Sequence, residues 1–204
     1  MERNFSDVAS ETYRKYIVKI KLSNRRFYYF LWGTDLDNED VDYLLLNLSN
    51  NIMAFLSITD LLTFVKHTSC IIDDTNTKSW ANSYKGSRAY ITYDFASLIN
   101  FLDEVNTIGD YEKKTAMMVI NFCNFFSDYA FQVNRQDLLN LYREDNLGVL
   151  IDSLNIMFFW EVPNSSYKSE LEGRLSKFDI LKANETITKM VNSFERELVI
   201  MDNV

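Results

Sequence analysis

Several stretches in the first part of the chain have the hydrophobic pattern of β-strands. Residues 16–22 (Tyr-Ile-Val-Lys-Ile-Lys-Leu) place their two lysines on one face, which predicts a strand with one solvated side. After a turn at residues 23–25, the chain returns in residues 27–32 (Phe-Tyr-Tyr-Phe-Leu-Trp) as the second strand of a hairpin. These residues are apolar or aromatic throughout, which is typical of a strand covered on both faces. Residues 43–48 and 52–56 predict a second hairpin, because two apolar runs flank a short polar turn.

A strand followed by a helix is predicted twice. Residues 52–65 and 89–102 share a pattern in which a short strand-like run is followed by Ser57 or Asp94 and then by apolar pairs at helical spacing. A serine or aspartate at this place accepts a hydrogen bond from a free N–H of the first helical turn. We therefore expect two β-α units, with the polar residues 73–87 between them forming a long excursion from the core.

The pattern changes to that of helices after residue 110. Residues 111–133 are apolar on almost every side except for a narrow polar stripe, which indicates a helix buried in a bundle. Further helices are predicted over residues 136–144, 147–160, 168–177 and 179–201.

These patterns together predict the α+β class. The N-terminal part, residues 1–108, is expected to be β-rich, with antiparallel hairpins and the two short β-α units. The C-terminal part, residues 109–204, is expected to be helical. Because five glycines and one proline leave no flexible linker, we expect the two parts to form one compact unit.

The composition excludes several classes of protein. Of the 204 residues, 47% are hydrophobic and 15% are aromatic, which excludes a disordered chain. The formal net charge of -8 argues against a nucleic-acid binder, which needs basic surface to displace counterions from phosphate, and favours a basic partner. No apolar run approaches the roughly 18 residues of a membrane span, and the polar start lacks a secretory apolar segment. We therefore expect a soluble cytoplasmic protein.

No motif of a known catalytic class is present, and we expect no enzymatic activity. The sequence contains no GxSxG, Walker A, GxGxxG or HExxH pattern. Its one histidine, His67, lies near Cys70, but a catalytic cysteine and histidine normally come from distant segments. We interpret His67 as a residue of the last turn of a helix, where a cation complements the helix dipole. Cys70 and Cys123 are interpreted as buried, reduced thiols.

No cofactor or metal site is predicted. Residues 35–40 (Asp-Leu-Asp-Asn-Glu-Asp) resemble the start of a calcium loop, but an EF-hand needs glycine at its sixth position and glutamate at its twelfth. Asp40 and Leu46 occupy those positions. Weak calcium binding outside the EF-hand pattern and a pair of catalytic carboxylates are alternatives that the sequence leaves open.

Charges are segregated along the chain. Residues 1–26 carry a net charge of +4, whereas residues 27–65 contain six acids and no lysine or arginine. A cluster of carboxylates attracts a basic partner and speeds its association, and tyrosine and tryptophan are frequent at binding hot spots. The candidate partner-binding residues are the acidic loop, two further aspartates and two aromatic residues: Asp35, Asp37, Glu39, Asp40, Asp42, Asp73, Asp74, Trp80 and Tyr84.

A small, acidic, aromatic-rich chain without catalytic motifs resembles the bacterial immunity proteins that neutralise toxins of contact-dependent inhibition systems. The resemblance is one of general character along the whole chain. It implies a cognate toxin domain as the basic partner, such as an RNase or a DNase, whose substrate cleft the acidic loops would occupy as phosphate mimics.

Two other classes of function stay open at this point, as does the oligomeric state. A small-molecule binder or an enzyme without a recognisable signature would need a concave pocket with convergent polar groups and perturbed carboxylates. A phage or regulatory adaptor would have the same sequence character as an immunity protein.

Overall fold

The structure is a computed structural model that describes residues 5–38, 40–69, 72–160 and 171–201. Its strands are β1 (Lys15–Lys21), β2 (Phe27–Asp35), β3 (Val41–Leu44), β4 (Ile52–Phe55), β5 (Ile91–Asp94) and β6 (Leu198–Met201). Its helices are α1 (Phe5–Tyr13), α2 (Ile58–His67), α3 (Asp74–Ser83), α4 (Phe95–Glu104), α5 (Lys113–Gln132), α6 (Gln136–Tyr142), α7 (Asp145–Phe158) and α8 (Ile180–Arg196). Ile108–Asp110 forms a 3-10 turn, and residues 171–175 are also helical. The fold is α+β, as predicted.

The described strands form one mixed sheet in the order β5-β1-β2-β4-β6, and β3 also pairs with β2. β1 and β2 form the predicted antiparallel hairpin, and β2 also pairs antiparallel with β3 and β4. β5 is parallel to β1, and β6 is parallel to β4. The predicted second hairpin is confirmed, because β3 and β4 flank a short turn and Leu46 bridges Ile52 in antiparallel pairing.

The chain divides into two compact units. The first contains Met1–Ala96 and Glu195–Val204, and the second contains Ser97–Phe194. The boundary that the sequence predicts, after residue 108, lies inside the second unit. The observed boundary lies earlier in the chain than the predicted one because most of α4, the helix that follows β5, belongs to the second compact unit.

Both predicted β-α units are present. In the first, β4 leads into α2, and the Ser57 hydroxyl accepts a hydrogen bond from the Asp60 N–H at 3.1 Å. The same hydroxyl donates to the Asp60 carboxylate at 2.7 Å. In the second unit, Asp94 lies directly before α4, and its carboxylate forms an ion pair with Lys21 at 3.0 Å.

The prediction that residues 73–87 leave the core is wrong. Residues 74–83 form α3, which packs against α1 and α2. Thr77, Trp80 and Ala81 are completely buried, and Tyr84 is 7% exposed. These four residues follow the i, i+3, i+4, i+7 spacing of a buried helix face, and that spacing is the sequence signal that would have revealed the helix.

The end of the chain also differs from its prediction. The helix predicted over residues 179–201 ends at Arg196, and Leu198–Met201 forms β6 instead. β6 runs parallel to β4, with Leu198 opposite Ile52 and Met201 opposite Phe55. A short apolar run fits a strand or a helix equally well by periodicity, and pairing with a distant strand decides between them here.

The helices predicted in the second half are confirmed where the structure describes them. α5 contributes to the core of the second unit, where Phe122 and Phe126 are fully buried. The ring centroid of Phe125 lies 5.4 Å from that of Phe194 in α8. The buried Asn184 of α8 donates from its amide to the carbonyl of Leu102 at 3.0 Å. Of the predicted helix 168–177, residues 171–175 are helical, residues 176–177 form a turn instead, and residues 168–170 lie outside the described ranges.

Candidate partner-binding surface

The acidic loop lies between β2 and β3, at the end of the sheet opposite the β1–β2 turn. Asp35 is the last residue of β2, and Asp42 belongs to β3, where the Thr34 hydroxyl donates to its carboxylate at 2.5 Å. The Asp37 N–H donates to the Asp35 carboxylate at 3.1 Å. Asp37 and Asp40 are exposed, and Asp35 and Asp42 are half-buried. Glu39 lies outside the described residues.

The loop carboxylates are largely without basic neighbours. Asp40 pairs with Arg14 at 3.2 Å, and both side chains are well exposed. In the described part of the chain, no lysine or arginine forms an ion pair with Asp35, Asp37 or Asp42. Asp40 has a positive φ of 56°, a conformation that aspartate and asparagine tolerate better than most residues. The loop therefore exposes negative charge at Asp37 and Asp40.

Asp73 is part of the core, so the prediction that it contacts a partner is wrong. Its Oδ2 lies 2.6 Å from Nζ of Lys15, and neither side chain is exposed at all. The Lys15 ammonium also donates to the carbonyls of Thr34 at 2.6 Å and Tyr13 at 3.0 Å. The other oxygen of Asp73 accepts from the Asn76 amide at 2.8 Å. Every ammonium proton thus has an acceptor, as a buried cation requires.

The buried pair positions the acidic loop. The Thr34 carbonyl accepts a hydrogen bond from Lys15, and the Thr34 hydroxyl donates one to Asp42. One residue therefore links the core ion pair to the loop. The pair also brings the start of α3 to the end of β2. Asp74 therefore joins the loop aspartates at this end of the sheet, with a partly exposed side chain that pairs with Lys78 at 2.9 Å.

The two predicted aromatic residues are not at the surface. Trp80 is fully buried, and its indole N–H has no hydrogen-bond partner among the described residues. Tyr84 packs against Trp80 at 5.5 Å between ring centroids and donates its hydroxyl to the Arg88 carbonyl at 2.5 Å. Both side chains therefore stabilise the first unit, and neither can contact a partner in this structure.

Sequence reasoning missed an exposed apolar residue, Leu48, whose side chain is 95% exposed. It lies in the turn between β3 and β4, beside a pocket of about 240 Å³. A second pocket, of about 250 Å³, lies in the second unit between α5 and α7. Both are smaller than the roughly 300–1,000 Å³ of typical ligand sites. No described residue that lines either pocket carries a carboxylate.

Three ionisable groups in the second unit have shifted pKa values. Burial raises the pKa of the Cys123 thiol to about 12, and it also raises the pKa of Tyr111. The backbone N–H groups of Asn106 and Thr107 lower the pKa of Asp110, which is an exposed turn residue. Burial accounts for the Cys123 pKa shift and hydrogen bonds account chiefly for the Asp110 shift, whereas the Tyr111 shift combines burial with the charge of Cys123.

The cysteine and histidine predictions can be checked in part. Cys123 is a free, buried thiol as predicted, whereas Cys70 lies outside the described residues. His67 is exposed in the last turn of α2, next to Lys66, which confirms its predicted place. Within the described ranges, no group of three or more His, Cys, Asp and Glu residues is arranged to hold a metal ion. None of the described helices combines the length and the hydrophobicity that a membrane crossing requires.

The fold and the surface together define an α+β protein with an acidic loop at one end of a mixed sheet. Neither family models nor curated proteins match the sequence. Among solved structures, the chain is similar to the C-terminal domain of SatS, which was crystallised in complex with bromine, with a TM-score of 0.59. The two chains share 13% identity, over 94% of this chain and 96% of the other. At this identity, the likeness establishes the fold alone.

Proposed function

We propose that this chain is a non-catalytic binding protein that neutralises a basic partner in the cytoplasm, as an immunity protein does with its cognate toxin domain. The observation that carries the proposal is the exposed acidic loop at the end of β2, with Asp37 and Asp40 at the surface. A nuclease-type toxin fits this chemistry, because its substrate cleft must be basic to hold phosphate. The loop carboxylates would occupy that cleft in place of phosphates.

The distribution of charge in the first unit supports an oriented encounter with such a partner. Arg25 and Arg26 are exposed in the turn between β1 and β2, whereas the acidic loop follows the other end of β2. A strand of nine residues spans about 30 Å, which is several Debye lengths at physiological salt. The two ends of β2 therefore present opposite charges, and salt screens each end from the other. A basic partner is steered to the acidic end.

The rigidity of the loop's base also supports binding. The hydrogen bonds of Thr34 fix Asp42 to a buried ion pair, so this carboxylate does not need to be ordered when a partner arrives. Preorganised groups lose less conformational entropy on association.

The test compares two double variants with the same change of charge. Asp37→Asn/Asp40→Asn removes two exposed charges of the loop and keeps, at residue 40, a residue type that tolerates a positive φ, whereas Asp103→Asn/Glu104→Gln neutralises two exposed acids of α4. Tagged proteins are used to recover the partner from native lysate, and its association rate is then measured at low and high salt. We expect a basic partner that associates severalfold more slowly with the loop variant at low salt, with the difference vanishing at high salt.

The control variant should behave as the unmodified protein. An acidic partner, or a basic partner that associates equally fast with the loop variant at low salt, contradicts the proposal. An independent test is protection: coexpression of the unmodified protein with the recovered partner should suppress its toxicity, and the loop variant should suppress it less.

A further inference from the structure

An apolar pocket lies between the β3–β4 hairpin and the end of α2. Its walls are formed by buried residues of the hairpin and by one ring of α2: Leu45, Leu46, Met53 and Phe64. Two exposed polar residues after that helix, Thr68 and Ser69, form part of its edge. The volume of about 240 Å³ has room for one large side chain. Because its walls are hydrophobic, an inserted group that removes this surface from water must itself be apolar.

Leu48 stands at the mouth of this pocket, held out by a turn that Asn47 organises. The Asn47 N–H donates to the Asn51 carbonyl at 2.9 Å. The Asn47 side-chain oxygen accepts from the N–H groups of Ser49 at 2.9 Å and Asn51 at 3.0 Å. The turn is thus fixed before any partner arrives. A preorganised apolar residue beside an apolar pocket loses little conformational entropy when a partner covers it.

The pocket and the acidic loop lie at the two ends of β3. Asp42 is at the loop end, and Leu46 lines the pocket four residues later, a distance of about 14 Å along an extended chain. A partner that covers the loop therefore has the pocket within reach of its next few residues.

We propose that this pocket receives an aliphatic or aromatic side chain of the same basic partner that the acidic loop attracts. The inference rests on the proposed function and specifies the partner's chemistry: a basic cluster with one apolar side chain about 14 Å away. Charge complementarity selects this occupant. An anionic amphiphile such as a fatty acid has the right hydrophobicity, but at low salt, where the Debye length exceeds this distance, its carboxylate is repelled by the loop. The loop accelerates encounter, and the filled pocket slows dissociation.

Peptides that separate charge from hydrophobicity test the inference. The probes are Lys-Lys-Lys-Lys-Gly-Ser-Gly-Ser-Phe, the same peptide ending in Ser, and a peptide with Glu in place of every Lys. Binding is measured by titration at low salt, and NMR locates it through the amide signals of Leu46 and Ser69. We expect the Phe peptide to bind about tenfold more tightly than the Ser peptide, which corresponds to about 1.4 kcal/mol, and we expect the Glu peptide to bind most weakly.

Matched variants show whether the pocket is responsible. Ser69→Trp places an indole at the pocket mouth, whereas Ser176→Trp makes the same change at an exposed serine of the second unit. The tenfold preference should persist in Ser176→Trp and disappear in Ser69→Trp. Leu48→Asp repeats the test at the pocket mouth, and Leu181→Asp is its control. The two leucines are 95% and 64% exposed, so we expect both variants to fold and only Leu48→Asp to weaken the preference for Phe.

The outcomes separate the two proposals. Equal binding of the Phe and Ser peptides, with both tighter than the Glu peptide, overturns the pocket inference and leaves the basic-partner function standing. A preference for Phe that survives both Ser69→Trp and Leu48→Asp also overturns it. If neither Lys peptide binds more tightly than the Glu peptide, the proposed function fails, and the pocket inference fails with it.

Discussion

The ammonium of Lys15 and the carboxylate of Asp73 lie 2.6 Å apart with no solvent exposure, although 58 residues separate them along the chain. The pair joins the first strand of the sheet to the start of α3. The end of β2 also contacts the pair, because the Thr34 carbonyl accepts a hydrogen bond from the Lys15 ammonium. A charge in this position is tolerated only while its partner is present, because an isolated buried charge is strongly unfavourable.

Removing either charge of this pair should strongly destabilise the protein. We expect Lys15→Met and Asp73→Asn each to lower the free energy of unfolding by about 3–5 kcal/mol, since each leaves one buried charge without its counterion. The double variant should lose less than the sum of the two. Urea denaturation followed by circular dichroism measures all three.

The control for this prediction is the nearby surface pair between Asp74 and Lys78, whose side chains are 37% and 31% exposed. Exposed i, i+4 pairs contribute about 0.3–0.5 kcal/mol, so Lys78→Met should change stability very little. Similar losses for the buried and the surface pair would contradict the structural role assigned to Lys15.

Gly33 is required because the Lys15 side chain passes over it. A Cβ at residue 33 would lie 2.5 Å from Cδ of Lys15 and 3.1 Å from the Arg14 carbonyl oxygen. We expect Gly33→Ala to cost about 1–3 kcal/mol, the usual cost of overpacking. Gly173→Ala is the matched control, since its Cβ would meet nothing within 4 Å and alanine favours a helix by up to about 1 kcal/mol. Thermal unfolding of the two variants should give changes of opposite sign.

The placement of α3 in the core predicts that Trp80 stabilises the fold. Trp80→Ala should lower the free energy of unfolding by about 3–5 kcal/mol, as large-to-small substitutions of buried aromatic residues do. Trp160→Ala provides the comparison, because Trp160 is 51% exposed. This variant should lower the free energy of unfolding by less than about 0.5 kcal/mol. If Trp80→Ala instead unfolds like the unmodified protein, the helix does not pack as the structure has it.

The turn at Asp110 should contribute stability that depends on pH. Its pKa is lowered chiefly by the N–H groups of Asn106 and Thr107, which donate to the carboxylate at 3.0 and 2.8 Å. A lowered pKa in the folded state means that the contribution is complete above the usual value of 3.8 and is lost as pH falls through the folded-state value. Asp110→Asn should therefore be less stable than the unmodified protein at neutral pH, and the gap should narrow in acid. A gap that stays constant or widens on acidification would be inconsistent with this.

The local pattern of the sequence was sufficient for much of the fold. Alternation predicted β1, the apolar run predicted β2, and the position of Ser57 predicted the start of α2, because strand alternation and helix capping depend on residues that are neighbours in sequence. The acidic loop was found in the same way, from a run of carboxylates between two strands. Its exposure in the structure keeps Asp37 and Asp40 as candidates for contact with a partner.

The residues that were misplaced are those whose surroundings come from distant parts of the chain. Asp73 and Trp80 were predicted on the surface because their neighbours in sequence are polar, yet Lys15 neutralises the first, and α1 and α2 enclose the helix of the second. No local pattern distinguishes Leu48, because only the folded hairpin places its side chain beside an apolar pocket.

The sequence by itself therefore determined the α+β class, most element boundaries and the acidic character of one loop, since these depend on spacing and composition. Only the tertiary structure decided that Leu198–Met201 is a strand, that Lys15 is buried and that the loop is fixed to a core ion pair. Each of these depends on a contact between residues far apart in sequence, whose energy arises only when both segments come together. No local pattern encodes such a contact.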